Sequence, residues 1–137
     1  MPGSDAAGVV ETVGSSVDRF QPGDHVCTHL TFGMTEDAFA TFADISSGLG
    51  HQLDGTLRTF GVFHDTSLVK MPRNLRFNEA ATLTCSALTA WNGLFGIDGR
   101  EPKKGIMVLV QGTGGVSIAA LQVRSISPNP SAQHAGV

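Results

Sequence analysis

The 137-residue sequence has no cluster of basic residues larger than the pair Lys103-Lys104, and acids outnumber bases twelve to nine. Without a basic patch there is no electrostatic footprint for nucleic acid or for an anionic membrane surface, which points to a small molecule or a protein as partner. No apolar run approaches the roughly 18 residues that a bilayer-spanning helix requires. The opening MPGSDAAG lacks the basic and apolar regions of a secretory signal. Cysteine is scarce, and Cys27 and Cys85 stand far apart. No disulfide framework is therefore expected, and the reducing cytoplasm is the expected setting, with both thiols free. Charged residues make up only 15% of the chain while glycines number 17, a globular composition with many turns and a modest polar surface.

Against that background the first half reads as strands. Gly8-Val9-Val10-Glu11-Thr12-Val13-Gly14 alternates as a strand does, and the turn Gln21-Pro22-Gly23-Asp24 separates it from a second strand over Asp24 to Leu30. The Asp24 carboxylate is expected to close that turn. Residues 31–55 carry Gly48, Gly50 and Gly55 with little periodicity and read as an irregular excursion. Strand character returns over Thr56 to Phe63 and over Ser67 to Lys70, where Met71-Pro72 ends it. From Asn78 the period changes, because Ala80, Ala81, Leu83, Thr84, Ala87, Leu88, Trp91 and Leu94 recur at helical spacing. One long helix is predicted, capped near Asn78 and ending near Gly96.

After a polar turn with Pro102, Ile106 to Val110 is a short apolar run of strand character, and Gln111-Gly112-Thr113-Gly114-Gly115-Val116-Ser117 opens a helix of small residues. In a dinucleotide fold the first glycine makes the tight turn, the second lets the backbone approach the pyrophosphate, and the third allows close helix–strand packing. The phosphate then rests on the helix N-terminus. Gly112, Gly114 and Ser117 take those three places, Gly115 is an additional glycine, and Thr113 and Val116 complete the candidate cradle. The same turn can also join strand to helix with no ligand. A strand of this kind needs a parallel partner after the helix, and none follows Gln122. Neither Asp nor Glu occurs after Glu101, so the acidic residue that would hold the ribose hydroxyls has no counterpart. Val123 to Val137, with Pro128 and Pro130 and no periodic apolar face, is expected to be a disordered tail.

Five blocks stand in order along the chain: PGSDAAGVVETVGSSVDRFQPGDHV, DGTLRTFGVF, SLVKMP, EAATLTCSALTAWNGL and VLVQGTGGVSIAALQ. Over residues 2–122 the sequence resembles the medium-chain dehydrogenase/reductase superfamily, in its zinc-type alcohol dehydrogenase and quinone or enoyl reductase branches. The resemblance implies a mixed α/β fold. A partial GroES-like β-barrel catalytic domain with a linking helix would occupy residues 1–98, the first βα unit of a Rossmann domain residues 99–122, and an unstructured tail residues 123–137. It further implies hydride transfer between NAD(P)H and a small-molecule carbonyl or enone, with NADPH preferred over NADH after the zinc-free reductases, and often a homo-oligomer. Because the match begins inside the catalytic domain and ends one helix into the Rossmann domain, the chain is expected to be truncated at both ends. A catalytically inactive remnant that binds a partner is the alternative.

Members of the zinc-dependent branch carry Gly-His-Glu where this chain has Gly3-Ser4-Asp5, so Ser4 stands in the place of a histidine ligand. A neutral hydroxyl is a poor zinc ligand. Cys85, in LTCSALTAW, falls where that branch places another ligand, but it stands alone, and the lobe of four closely spaced cysteines is absent. Zinc is therefore not expected. By the same resemblance Cys85 and Thr89 border the nicotinamide. Four residues apart on a helix, they share a face and can line one pocket, or simply pack in a helix interface. No His or acid adjoins Cys85 to activate it as a nucleophile. A separate set, His25, Cys27 and His29, alternates onto one strand face. Such ligands suit zinc or copper, yet same-face neighbours diverge and strand histidines usually face water. Trp91 and Phe95 are expected to fill the interface between the domains. No general acid stands out.

Overall fold

The computed structural model describes residues 1–31, 40–103 and 105–126. It divides into two compact units, Met1–Thr84 and Cys85–Val137, whereas the sequence reading sets its boundary at residues 98 and 99. The first unit is built on a three-stranded antiparallel sheet of β1 (Ala7–Val9), β2 (His25–Thr28) and β3 (Leu68–Lys70), in that order. Gly8 faces Val26 and Cys27 faces Val69 across the ladders. Backbone pairing runs on past β1, from Val10 N to Asp24 O at 2.9 Å and from Gly23 N to Val10 O at 2.8 Å. Asp24 closes its turn as its position suggests, its Oδ2 accepting from Gln21 N at 3.0 Å. Gly23 supplies the positive φ of 91° that this turn requires.

The strand expected over Thr56 to Phe63 does not form. Its backbone turns toward the start of the chain instead, with Gly55 N donating to Met1 O, Thr56 N to Gly3 O and Leu57 N to Pro2 O, at 2.8, 2.9 and 3.2 Å. Beyond it no ladder partner exists among the described residues, and Phe60 and Val62 are exposed. Within the excursion, residues 32–39 lie outside the described residues, and α1 (Phe42–Ser46) is an element the periodicity reading missed. A capping box starts it, in which Thr41 Oγ1 accepts from Asp44 N and Asp44 Oδ2 accepts from Thr41 N at 2.8 Å. The Thr41 hydroxyl, which donates to Asp44 Oδ2 at 2.6 Å, and then Thr41 N hold the Asp44 carboxyl below its usual range.

The single long helix predicted from Asn78 is interrupted. α2 (Phe77–Ala80) is one turn, capped at Arg76 by the Glu79 carboxylate, whose Oε2 accepts from Arg76 N at 2.8 Å. A π-helical turn follows at Leu83–Ala87, then α3 (Leu88–Phe95), which ends at Gly96 as expected. The pieces share one apolar periodicity, which is why the sequence reads as continuous; the break comes from an extra residue accommodated in the π turn. The first unit's core sits where this run begins, with Cys27, Met71 and Ala80 buried together and flanked by Ala7 and Leu75.

In the second unit α3 packs against α4 (Gly115–Ile126). Ala90, Ala119 and Ala120 form the buried contact, with Ala87, Leu94 and Val110 around it. Such small residues let two helices approach closely. Ile106 to Val110, expected as a strand, pairs with no other strand among the described residues, and Ile106, Met107 and Leu109 are exposed. Composition alone does not make a strand without a neighbour to complete its hydrogen bonds. α4 runs on to Ile126, so residues 123–126 are helical rather than part of the expected tail; the rest of that tail lies outside the described residues. Among the described residues no helix is long and apolar enough to cross a membrane.

Candidate functional site

The glycine turn opens directly into α4. Gly112 has φ +81°, the left-handed region that L-residues avoid, so this position requires glycine for the turn itself. At Gly112 and at Gly114 an added Cβ would meet nothing within 4 Å, which leaves the backbone open on that side. Ile118 N makes the early helical bond to Gly114 O at 3.0 Å, so the N–H groups of the first turn point forward without helical acceptors. Ser117, in the third place of the motif, donates its hydroxyl to Gln111 O at 2.9 Å and thereby ties the helix start to the end of the preceding segment. A turn of this shape, followed by a 12-residue helix, fits an anionic group resting on the helix N-terminus. The residues present therefore suit the pyrophosphate of a dinucleotide.

Of the sequence-predicted residues, Gly112, Thr113, Gly114, Gly115 and Val116 come together in this turn. Cys85 and Thr89 lie in the same compact unit, and both are exposed. Cys85 sits inside the π turn rather than in regular α-helix, so the four-residue spacing that would align it with Thr89 does not apply directly. Its neighbour Ser86 lies against Gly115, where an added Cβ would stand 2.7 Å from Ser86 Oγ. Sequence reading did not single out Ser86. Trp91 packs its ring on Phe95, 4.8 Å between centroids, and is itself 55% exposed.

A second cluster, in the first unit, was not legible in the sequence. Asp5 Oδ2 accepts from Ser4 Oγ at 2.5 Å and Asp5 Oδ1 from Thr84 Oγ1 at 3.0 Å. The Asp5 carbonyl accepts from Thr56 Oγ1 at 3.0 Å. Thr28, buried, accepts from Ala6 N at 2.9 Å and donates to Ser4 O at 3.3 Å. Apart from the adjacent Ser4 and Asp5, its bonds join residues 22 to 79 apart, with no local motif to announce them. The cluster bears on zinc, because the Ser4 hydroxyl that stands in a histidine ligand's place is committed to Asp5. A neutral hydroxyl engaged in this way is a poor zinc ligand.

The set His25, Cys27 and His29 does not converge. The His25 ring lies against Phe77, 4.9 Å between centroids. Cys27 points its thiol at Ala80 O, 3.7 Å away, and burial raises its pKa. His29 donates from Nε2 to Thr66 O at 2.7 Å, which leaves Nδ1 to accept from the Thr31 hydroxyl at 3.1 Å. Among the described residues no three His, Cys, Asp or Glu side chains gather in a metal-binding group. A half-open groove of about 940 Å³ also lies within the first unit, lined by residues that include Val9, Val13, Phe20, Phe60 and Phe63. None of the sequence-predicted site residues borders it.

Residues 1–73 match the model of the alcohol dehydrogenase GroES-like domain. A zinc-type alcohol dehydrogenase-like protein of Schizosaccharomyces pombe is 46% identical over 122 residues, covering 89% of this chain and 35% of the relative. A crotonyl-CoA carboxylase/reductase of Cereibacter sphaeroides is 34% identical over 128 residues, covering 88% of this chain and 30% of the relative. Among solved structures, an alcohol dehydrogenase from Sinorhizobium meliloti superposes with a TM-score of 0.83 at 37% identity, over 97% of this chain and 38% of that one. The chain thus spans about a third of the length of the curated relatives it matches. With the GroES-like match over more than half of its residues, the chain belongs to the medium-chain dehydrogenase/reductase superfamily.

Proposed function

We propose that this chain is part of an NAD(P)-dependent oxidoreductase that transfers hydride between NAD(P)H and a carbonyl or enone substrate without zinc. The observation that carries the reading is the open glycine turn at Gly112 and Gly114, placed directly ahead of α4. Gly112 turns the backbone, Gly114 leaves room for a phosphate oxygen, and the forward-pointing N–H groups of Gly115 and Val116 donate to it. Thr113 lies in the same cradle, and Ser117 holds the helix start in register through Gln111. When bound, the nicotinamide supplies or accepts the hydride; the chain's own share is binding and orientation. Cys85 and Thr89 are the residues proposed to border that ring. Zinc independence rests on Ser4, whose hydroxyl is engaged by Asp5. The preference for NADPH over NADH rests on likeness to the zinc-free reductases, and a homo-oligomer in the cytoplasm is the proposed setting.

The test is a titration of the chain with NADPH and with NADH, followed by Trp91 fluorescence and by thermal midpoint, with a quinone or an enal as hydride acceptor. Saturable stabilisation, tighter for NADPH, is expected, and chelator treatment should not change it. Absence of any saturable response at millimolar cofactor would overturn the reading.

A further inference from the structure

The helical run from Phe77 to Phe95 carries its π turn at Leu83–Ala87. Such a turn holds an extra residue and is rare, occurring mostly as a single bulge inside α-helix. Two of its side chains make contacts outside it. Thr84 Oγ1 donates to Asp5 Oδ1 at 3.0 Å, a bond between residues 79 apart. Two residues along, Ser86 abuts Gly115, where a Cβ would stand 2.7 Å from Ser86 Oγ and 3.3 Å from Ser86 Cβ. The first contact lies within the first compact unit and the second within the other, and the backbone of the π turn joins them.

We propose that Asp5 and Thr84 are positioning residues for the glycine turn, acting through the π turn and Ser86. The proposal rests on the reading of Gly112 to Val116 as the cofactor cradle. Asp5 is suited to the part because it is itself held on two other sides, by Ser4 Oγ on its second carboxylate oxygen and by Thr56 Oγ1 on its carbonyl. Its acceptor therefore has a fixed place, and the carboxylate makes the bond stronger than one to a neutral oxygen. With Thr84 pinned, the extra residue stays in the turn and Ser86 stays against Gly115. Released, the segment can expel that residue and become regular helix. Each residue of an α-helix advances by about 100°, so Ser86 is re-aimed by about that angle relative to α3. Gly115 then loses the neighbour that supports the first turn of α4.

The experiment measures amide hydrogen exchange across residues 112–118 in the full chain without cofactor, alongside NADPH affinity. Thr84→Val keeps the side-chain shape and removes the donor. It is expected to speed exchange over 112–118 and to weaken NADPH binding, each by about tenfold, the effect of one charge-assisted hydrogen bond. Thr84→Ser restores the donor and both readings. Thr82→Val removes a hydroxyl that bonds only within the same run, to Glu79 O at 2.7 Å, and leaves both unchanged. Ser86→Gly acts on the far contact and speeds exchange over 112–118 while the amides of β2 stay protected. Unchanged exchange over 112–118 in either Thr84→Val or Ser86→Gly overturns the proposal. Exchange that responds in a wild-type background that binds no NADPH supports the coupling and sinks the cofactor reading instead.

Discussion

Gly115 and Ser86 are packed so closely that a methyl group on the glycine would lie 2.7 Å from the serine hydroxyl oxygen and 3.3 Å from its Cβ. Ser86 Oγ can rotate away, but its Cβ cannot. Gly115→Ala is therefore expected to destabilise the second unit by about 1–3 kcal/mol, the usual range for overpacking, even though alanine favours helix by up to about 1 kcal/mol over glycine. Combining it with Ser86→Gly should recover most of the loss. Urea unfolding of the two single variants and the double variant checks this; additive losses would show that the two residues are not in contact.

Gly112 and Gly114 separate folding from ligand approach. At φ +81°, Gly112→Ala strains the backbone and is expected to lose about 1–2 kcal/mol of stability. Gly114→Ala meets no atom within 4 Å and should fold as the wild type does, yet its methyl group stands where a phosphate oxygen would approach. Thermal midpoints and NADPH titrations of both variants decide the matter. An undiminished NADPH affinity in Gly114→Ala counts against the cradle.

The two thiols should differ in reactivity. Cys85 is exposed and Cys27 is buried with its pKa raised by desolvation. A thiol reagent at neutral pH is expected to modify Cys85 at once and Cys27 only on unfolding. Because the folded pKa of Cys27 lies above its unfolded value, its contribution is fully present below the unfolded thiol pKa of about 8.5 and declines as the pH rises beyond it. A stability profile that stays level through that alkaline range, with Cys27→Ala as the comparison, would contradict this.

Thr28 is 4% exposed and serves two backbone groups, Ala6 N and Ser4 O. Thr28→Val keeps the volume and leaves both without that partner, at an expected loss of about 1–3 kcal/mol. Denaturant midpoints report the loss. Thr28→Ser, which keeps the hydroxyl, should recover the larger part.

Much of the order along the chain was legible because its signals are local. Pro22, Gly23 and Asp24 announce their turn, Met71-Pro72 ends β3, Gly96 ends α3, and the glycines announce the turn before α4. The start of α1 also carries a local signal, the capping-box spacing of Thr41 and Asp44, which a reading by periodicity alone passes over. The failures share a cause. Thr56 to Phe63 and Ile106 to Val110 have the composition of strands, but a strand exists only where another backbone completes its hydrogen bonds. The helical periodicity from Asn78 to Leu94 hides the π turn, because an inserted residue shifts the pattern too little to be noticed over so short a run.

The sequence by itself determined the family, the turn at Pro22-Gly23-Asp24, the ends of β3 and α3, and the glycine turn, since each depends on residues within a few positions of one another or on blocks in a set order. Only the tertiary structure decided that Asp5 receives the hydroxyl of Thr84, that Cys27 is closed off beneath Ala80, and that Ser86 stands against Gly115. Those contacts join residues that chain folding alone brings within bonding distance, and hydrogen bonds and close packing act only over that distance.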